Sequence, residues 1–128
     1  MPRGKPVTSS SAPKAIGPYS QAIAVDNLVF LSGQIALDPQ TGNLIDGSIR
    51  EQAVQVFENL SAVAQASGGT LQDAVKLTVY LTDLGNFPIA NEVMSGYFTE
   101  PYPARATVQV SALPRNAVIE IDAILALS

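Results

Sequence analysis

Arg105 and Glu120 are the residues whose type and setting most invite chemistry. Beyond residue 14 the chain has only four cations, and Arg105 stands at the start of a strand-like run behind Tyr102-Pro103-Ala104. A guanidinium offers a rigid, two-pronged donor fork that matches a carboxylate, a geometry lysine does not reproduce. The competing account is an ordinary ion pair with Glu120 or Asp122. Glu120 interrupts the apolar run Ala117-Val118-Ile119 before Ile121. A carboxylate there is costly unless it is paired or used, so proton transfer is one reading. An inward charge that guards a sheet edge is the other.

Three further segments bear on a site. Ile16-Gly17-Pro18-Tyr19 sets a fixed turn ahead of an aromatic hydroxyl, to be weighed against a core tyrosine opening a strand. Ser32-Gly33-Gln34 closes a strand with a residue that allows close backbone approach. Asn91 lies near an apolar helical stripe and reads equally well as a surface amide. The chain has neither His nor Cys, which excludes His/Cys zinc sites, Ser-His-Asp triads, thiol nucleophiles and disulfides. There is no phosphate-cradling glycine loop, dinucleotide fingerprint or acidic metal cluster, so neither metal nor cofactor is expected. The chemistry falls to Arg, Lys, Tyr, Ser, Thr, Asp, Glu, amides and backbone.

The elements that must position these residues follow from periodicity. Met1–Lys14, rich in Pro and Ser, reads as a flexible N-terminal arm, with one domain over residues 15–128. Tyr19–Val25 and Leu28–Gly33 are β-like runs joined at Asp26-Asn27, a pair suited to a tight hairpin. Ser48 and Glu51 form a capping box ahead of a helix whose apolar residues include Ala53, Val56, Phe57, Leu60 and Val63, stopped by Gly68-Gly69. Val75, Leu77, Val79 and Leu81 alternate with polar residues as a half-buried strand. A second helix starts at Asp83–Asn86, with Ala90, Val93, Met94, Tyr97 and Phe98 as its stripe and Pro101 and Pro103 as its end. Two strands, Ala104–Ala112 and Ala117–Leu127, close the chain with Leu113–Asn116 as a hairpin loop.

The order ββ-α-β-α-ββ predicts an α+β single sheet with both helices on one face. The other face would carry Thr78, Tyr80, Arg105, Gln109 and Asp122 and would need cover, most simply from another subunit. If the last hairpin turns about Pro114-Arg115, paired numbers sum to about 229 and Glu120 lies opposite Gln109. Arg105 is then four residues further on, ~13 Å at strand rise. A site using both residues would form more naturally between subunits than within one chain.

Composition bounds the partners. At 128 residues there is room for one domain, and charged residues make up only 14%, against about 25% in an average globular protein. So few charges on a small surface-rich domain suggest that part of the surface is covered by other subunits. Net charge is −4, and from residue 15 onward four basic residues face eleven acidic ones. That disfavours nucleic acid and anionic membrane as partners. Met1–Lys14 lacks the apolar core of a secretory signal and no apolar run reaches the ~18 residues of a membrane span, so a cytoplasmic protein is expected.

In combination these segments resemble the RidA (YjgF/Rid) family of small imine/enamine deaminases. The resemblance is carried by Ala15-Ile16-Gly17-Pro18-Tyr19-Ser20-Gln21-Ala22, Leu31-Ser32-Gly33-Gln34-Ile35 and Val79-Tyr80-Leu81-Thr82-Asp83-Leu84. Asn91 leading to Tyr97-Phe98, Tyr102-Pro103-Ala104-Arg105-Ala106-Thr107-Val108 and Ile119-Glu120-Ile121 complete it, over about residue 8 to the end. It implies a chorismate-mutase-like α+β fold, a homotrimer and sites in the clefts between subunits. It also implies cofactor-free hydrolysis of 2-iminopropanoate (from 2-aminoacrylate) or 2-iminobutanoate to the 2-oxo acid and ammonia. In that scheme Arg105 binds the substrate carboxylate and Glu120 positions or activates water, while Tyr19, Ser32, Gly33, Asn91 and Thr107 line the pocket. Thr107 stands where many members carry Cys, and Met94 where an aromatic residue is frequent. Two other readings use the same residues: a non-catalytic trimer binding small carboxylates, and an endoribonuclease or translation inhibitor. The charge balance weighs against the last of these.

Overall fold

Ser48 opens the longest element, helix α1 (Ile49–Ala66), for the reason its sequence implies. In the computed structural model, which describes residues 4–128, the Ser48 hydroxyl accepts from the Glu51 amide at 3.3 Å. The Glu51 carboxylate in turn accepts from the Ser48 amide at 3.0 Å. This reciprocal box satisfies amides that a helix start leaves without partners. Val56, Phe57, Leu60 and Val63 repeat along one face and are fully buried, each contributing about 1.5–3 kcal/mol. Phe57 stacks on Tyr97 at 4.9 Å and meets Phe98 edge-on at 6.0 Å, which fastens the segment beyond the second helix to the first.

The strands are β1 (Lys5–Val7), β2 (Ala22–Val25), β3 (Leu28–Gln34), β4 (Ala74–Leu81), β5 (Ala104–Gln109) and β6 (Ile119–Ala126). They form one mixed sheet in the order β1-β2-β3-β6-β4-β5, antiparallel except for the parallel pair β4–β5. Helix α2 (Phe87–Ser95) packs beside α1 on one face of this sheet, which is the α+β class expected. Asp26, with φ at 53°, makes the β2–β3 reversal where Asp26-Asn27 implied it. Among the described residues no helix is long and apolar enough to cross a membrane.

The structure departs from the sequence reading in three places. The last two strands do not form a hairpin. β5 pairs in parallel with β4, and β6 lies between β3 and β4, with Glu120 opposite Tyr80 instead of Gln109. The physical reason is burial: Ile119, Ile121, Ala123 and Leu125 are all but inaccessible, which only a central strand permits, whereas β5 is exposed along most of its length. The 22 residues between Leu81 and Ala104 contain α2, long enough for the crossover a parallel pair needs.

The second departure follows from the first. Leu77 and Val79 face the helices, and their partners in register are Arg105 and Thr107, so Arg105 and Gln109 lie on the helix side. The open face instead carries Thr78, Tyr80, Val108, Glu120 and Asp122, beside Leu28 and Phe30 of β3. Thirdly, part of the segment assigned from sequence to a flexible arm, residues 1–14, is built onto the sheet and tied down beside it. Lys5–Val7 pair with β2, and Ala12 is buried. Buried Gln21 holds them: its Oε1 accepts from the Ser9 amide at 2.6 Å and its Nε2 donates to the Pro13 carbonyl at 2.7 Å. Residues 1–3 of that arm lie outside the described part of the chain.

Candidate active site

Arg105 is set by helix α2. Asp83 accepts from the Gly85 amide at 2.8 Å in the turn leading to the helix, and Pro88, with its φ already suited to a helix, occupies the first turn. Ala90, Val93 and Met94 turn to the core, which leaves Asn91 at the flank that meets β5. The Arg105 guanidinium donates through Nη1 to Asn91 Oδ1 at 2.7 Å and lies 5.0 Å above the Phe87 ring. Met94 Sδ is 3.5 Å from the same nitrogen, so Met94 helps hold the arginine as well as fill the core. The one ion pair among the described residues is Arg50–Glu92, at 3.0 Å. Arg105 is therefore not the partner of Glu120 or Asp122; an amide and an aromatic ring aim it and leave its charge available for an anion. Thr107 lines the narrow cleft beneath it, with a buried hydroxyl that has no hydrogen-bond partner. Such an atom costs about 1–3 kcal/mol unless something binds it.

Glu120 is set by a β-bulge. Leu31 pairs with Ala123 and Gln34 with Ile121, so Ser32 and Gly33 together face the single residue Asp122. The Glu120 carboxyl packs against the α-carbon of Gly33, where a Cβ would stand 2.9 Å from the Glu120 Cδ. This is the close approach the Ser32-Gly33-Gln34 run suggested. Ser32 braces the bulge, donating from its hydroxyl to the Ser20 carbonyl at 2.5 Å. Burial, and secondarily the negative charge of Asp122, hold the Glu120 carboxyl above the ordinary carboxylate range. Tyr19, positioned by a hydrogen bond from its amide to the Gly17 carbonyl at 2.9 Å, is 53% exposed and is no core tyrosine. With Ser32, Gly33 and Glu120 it lines a pocket of about 570 Å³.

The expected residues thus fall into two groups. Asn91, Arg105 and Thr107 cluster under α2, while Tyr19, Ser32, Gly33 and Glu120 surround the bulge. Strand β4 separates them: Leu77 partners Arg105 on one side and Tyr80 partners Glu120 on the other. Two strand spacings and three residues of rise put the two α-carbons roughly 14 Å apart, with side chains on opposite faces of the sheet. The expected separation within one chain holds, although the hairpin register from which it was inferred does not exist.

Residue types alone missed part of each group. Phe87, under the Arg105 guanidinium, opens α2 and reads as core. Lys14 and Arg115 line the Glu120 pocket, yet the first was assigned to an arm and the second to a loop. Arg115 has a left-handed backbone, φ 58°, and donates to the Gly42 carbonyl at 2.7 Å; neither local signal is written in its neighbours. No group of three or more His, Cys, Asp or Glu side chains converges among the described residues.

The chain is a small α+β protein with a guanidinium held by an amide on one side of its sheet and a partly buried carboxyl on the other. The chain belongs to the RidA/YjgF family, whose model, described as Endoribonuclease L-PSP, matches residues 9–127. It is 44% identical over 119 residues to a 2-iminobutanoate/2-iminopropanoate deaminase of Dermatophagoides farinae, covering 93% of each chain. The crystal structure of RidA from the Antarctic bacterium Psychrobacter sp. PAMC 21119 superposes with a TM-score of 0.93 at 50% identity, covering 96% of this chain and 99% of that one. E. coli TdcF with bound serine gives 0.91 at 40% identity, covering 97% and 99%. The deaminase names among its relatives support an enzyme role in general terms.

Proposed function

We propose that this protein is a cytoplasmic, cofactor-free hydrolase of 2-imino acids, working as a homotrimer in clefts between subunits. One observation carries the reading: Arg105 and Glu120 are each presented without an ionic partner among the described residues, on opposite faces of one sheet. Neither group completes a site within its own chain. A second copy that brings its Arg105 group against the Glu120 pocket completes one. The open sheet face, with Leu28, Phe30 and Val108 at least a third exposed, supplies apolar surface for that contact.

In such a cleft Arg105 and Thr107 hold the substrate carboxylate, and Asn91 keeps the guanidinium aimed. Glu120 takes a proton from water as the oxygen attacks the electrophilic carbon of the protonated imine, giving a neutral tetrahedral amino alcohol. The same carboxyl returns that proton to nitrogen, and as the C–N bond breaks the hydroxyl proton passes back to Glu120, so that ammonia leaves a 2-oxo acid. Positioned proton transfer contributes about 10²–10⁴-fold, sufficient for a reaction that already proceeds in water. A carboxyl held above its usual range suits this two-way traffic, since it is basic enough to accept the proton and acidic enough to release it.

The test is pyruvate and ammonia release from 2-aminoacrylate generated in situ by a serine/threonine dehydratase. The expected result is acceleration by the wild-type protein and loss of at least about 100-fold in Arg105→Ala. No acceleration by well-folded trimer would favour a carboxylate-binding protein without catalysis. Equal acceleration by both proteins would keep the reaction and overturn the site. The family's description as an endoribonuclease is addressed by RNA cleavage with the same preparation; a net charge of −4 weighs against it.

A further inference from the structure

Tyr80 stands directly opposite Glu120 on the neighbouring strand, yet its hydroxyl reaches past that residue. It donates to Asp122 Oδ2 at 2.9 Å. Asp122 lies two residues beyond Glu120 on β6, so both carboxylates project from the same face of the sheet, about 7 Å apart at strand rise. They are held in different ways. The Glu120 carboxyl rests on the Gly33 α-carbon, whereas Asp122 is tied across the sheet to a phenol. A neutral donor stabilises a carboxylate without cancelling its charge, and no cation pairs with Asp122 among the described residues. Asp122 thus presents a fixed negative charge to its neighbour.

Few other groups of the same chain face Glu120, and in the proposed cleft the Arg105 of a second copy joins them. β4 contributes Tyr80, and the bulge of β3 contributes Ser32 and Gly33, which do not titrate. The loops around the pocket contribute Tyr19, Lys14 and Arg115, the last tied to the Gly42 carbonyl. Among the charges here, Asp122 acts on the Glu120 carboxyl in the same direction as burial.

We propose that Tyr80 and Asp122 form a positioning pair for Glu120: the phenol fixes the Asp122 carboxylate on the same face of the strand, where its negative charge acts on the Glu120 carboxyl beside it. Neither residue touches the substrate; both act through Glu120. The proposal rests on the imine-hydrolysis reading for its catalytic consequence but not for its electrostatic one. Asp122→Asn removes the charge. Tyr80→Phe keeps the ring and releases the carboxylate, which is then no longer held beside Glu120. Both changes relieve Glu120 and lower the pH at which it ionises.

The experiment titrates Glu120 by ¹³C NMR of side-chain carboxyl-labelled trimer, assigned with Glu120→Gln, alongside the pH profile of kcat/KM on 2-aminoacrylate generated in situ. The expected result in Asp122→Asn is a fall of about half a pH unit or more in both the Glu120 midpoint and the acidic limb. Tyr80→Phe is expected to move both in the same direction by less, with KM unchanged on the plateau. Midpoints in both variants that coincide with the wild type would overturn the proposal. A shift in Asp122→Asn alone would remove Tyr80 from it. Absence of turnover in the wild type would sink the imine-hydrolysis reading, while the NMR titration would still judge the pair.

Discussion

At the scale of single residues, Glu120 couples function to stability. Its carboxyl ionises less readily in the folded chain than in the unfolded one, because burial and Asp122 both disfavour the charge. A raised carboxyl contributes stability below its unfolded value near 4.5 that is lost as pH rises through the folded value. Glu120→Gln removes that penalty. The variant should melt at nearly the wild-type temperature at pH 4 and increasingly above it toward pH 8, while losing imine hydrolysis. Thermal melts across that range check it, and parallel curves would show that Glu120 carries no such penalty. Gly33 belongs to the same compromise, since any side chain there displaces the carboxyl it supports.

At the scale of elements, the segment before Tyr19 depends on one side chain. Gln21, 4% exposed, satisfies the Ser9 amide and the Pro13 carbonyl, two backbone groups that β1 and β2 do not otherwise serve. Lys14 and Tyr19, which lie between Pro13 and Gln21 in the chain, line the Glu120 pocket. Gln21→Ala strands those groups and should cost about 1–3 kcal/mol, with faster amide exchange at Lys5, Val7 and Ser9 while α1 stays protected. Exchange rates unchanged at Ser9 would show that β1 pairing alone holds the segment. α1 is independent of this clamp because its capping box and apolar stripe are local.

At the scale of the whole molecule, the separation of Arg105 from Glu120 has a consequence for mixed assemblies. Arg105→Ala and Glu120→Gln chains are each inactive alone on the between-subunit reading. Refolded together in equal amounts, they should regain roughly a quarter of wild-type activity, because a cleft taking its intact arginine from one variant and its intact acid from the other is whole. No recovery in mixed trimers would place both residues in the same cleft from the same chain. Light scattering on the wild type, expected at three times the 13.4 kDa chain, establishes the assembly that this mixing requires.

What the sequence determined by itself was local. The Ser48–Glu51 cap, the α1 stripe and the Asp26 reversal each follow from apolar periodicity, backbone sterics or a short-range hydrogen bond, and each stands where the residue types implied. The candidate site residues stood out because a carboxylate inside an apolar strand run is costly unless it is paired or used, and a guanidinium in a cation-poor chain is a ready fork for an anion. Strand order, and with it the face each side chain occupies, was decided only by tertiary structure. β5 and β6 are neighbours in sequence but not in space, because β6 buries more apolar surface between β3 and β4 than it could at an edge. Loop closure costs too little to hold adjacent strands together against that gain. The same long-range choice turned Arg105 toward α2 and away from Glu120. Gln21, Tyr80 and Arg115 stayed silent in the sequence because their partners, Ser9 and Pro13, Asp122 and Gly42, are brought to them only by the fold.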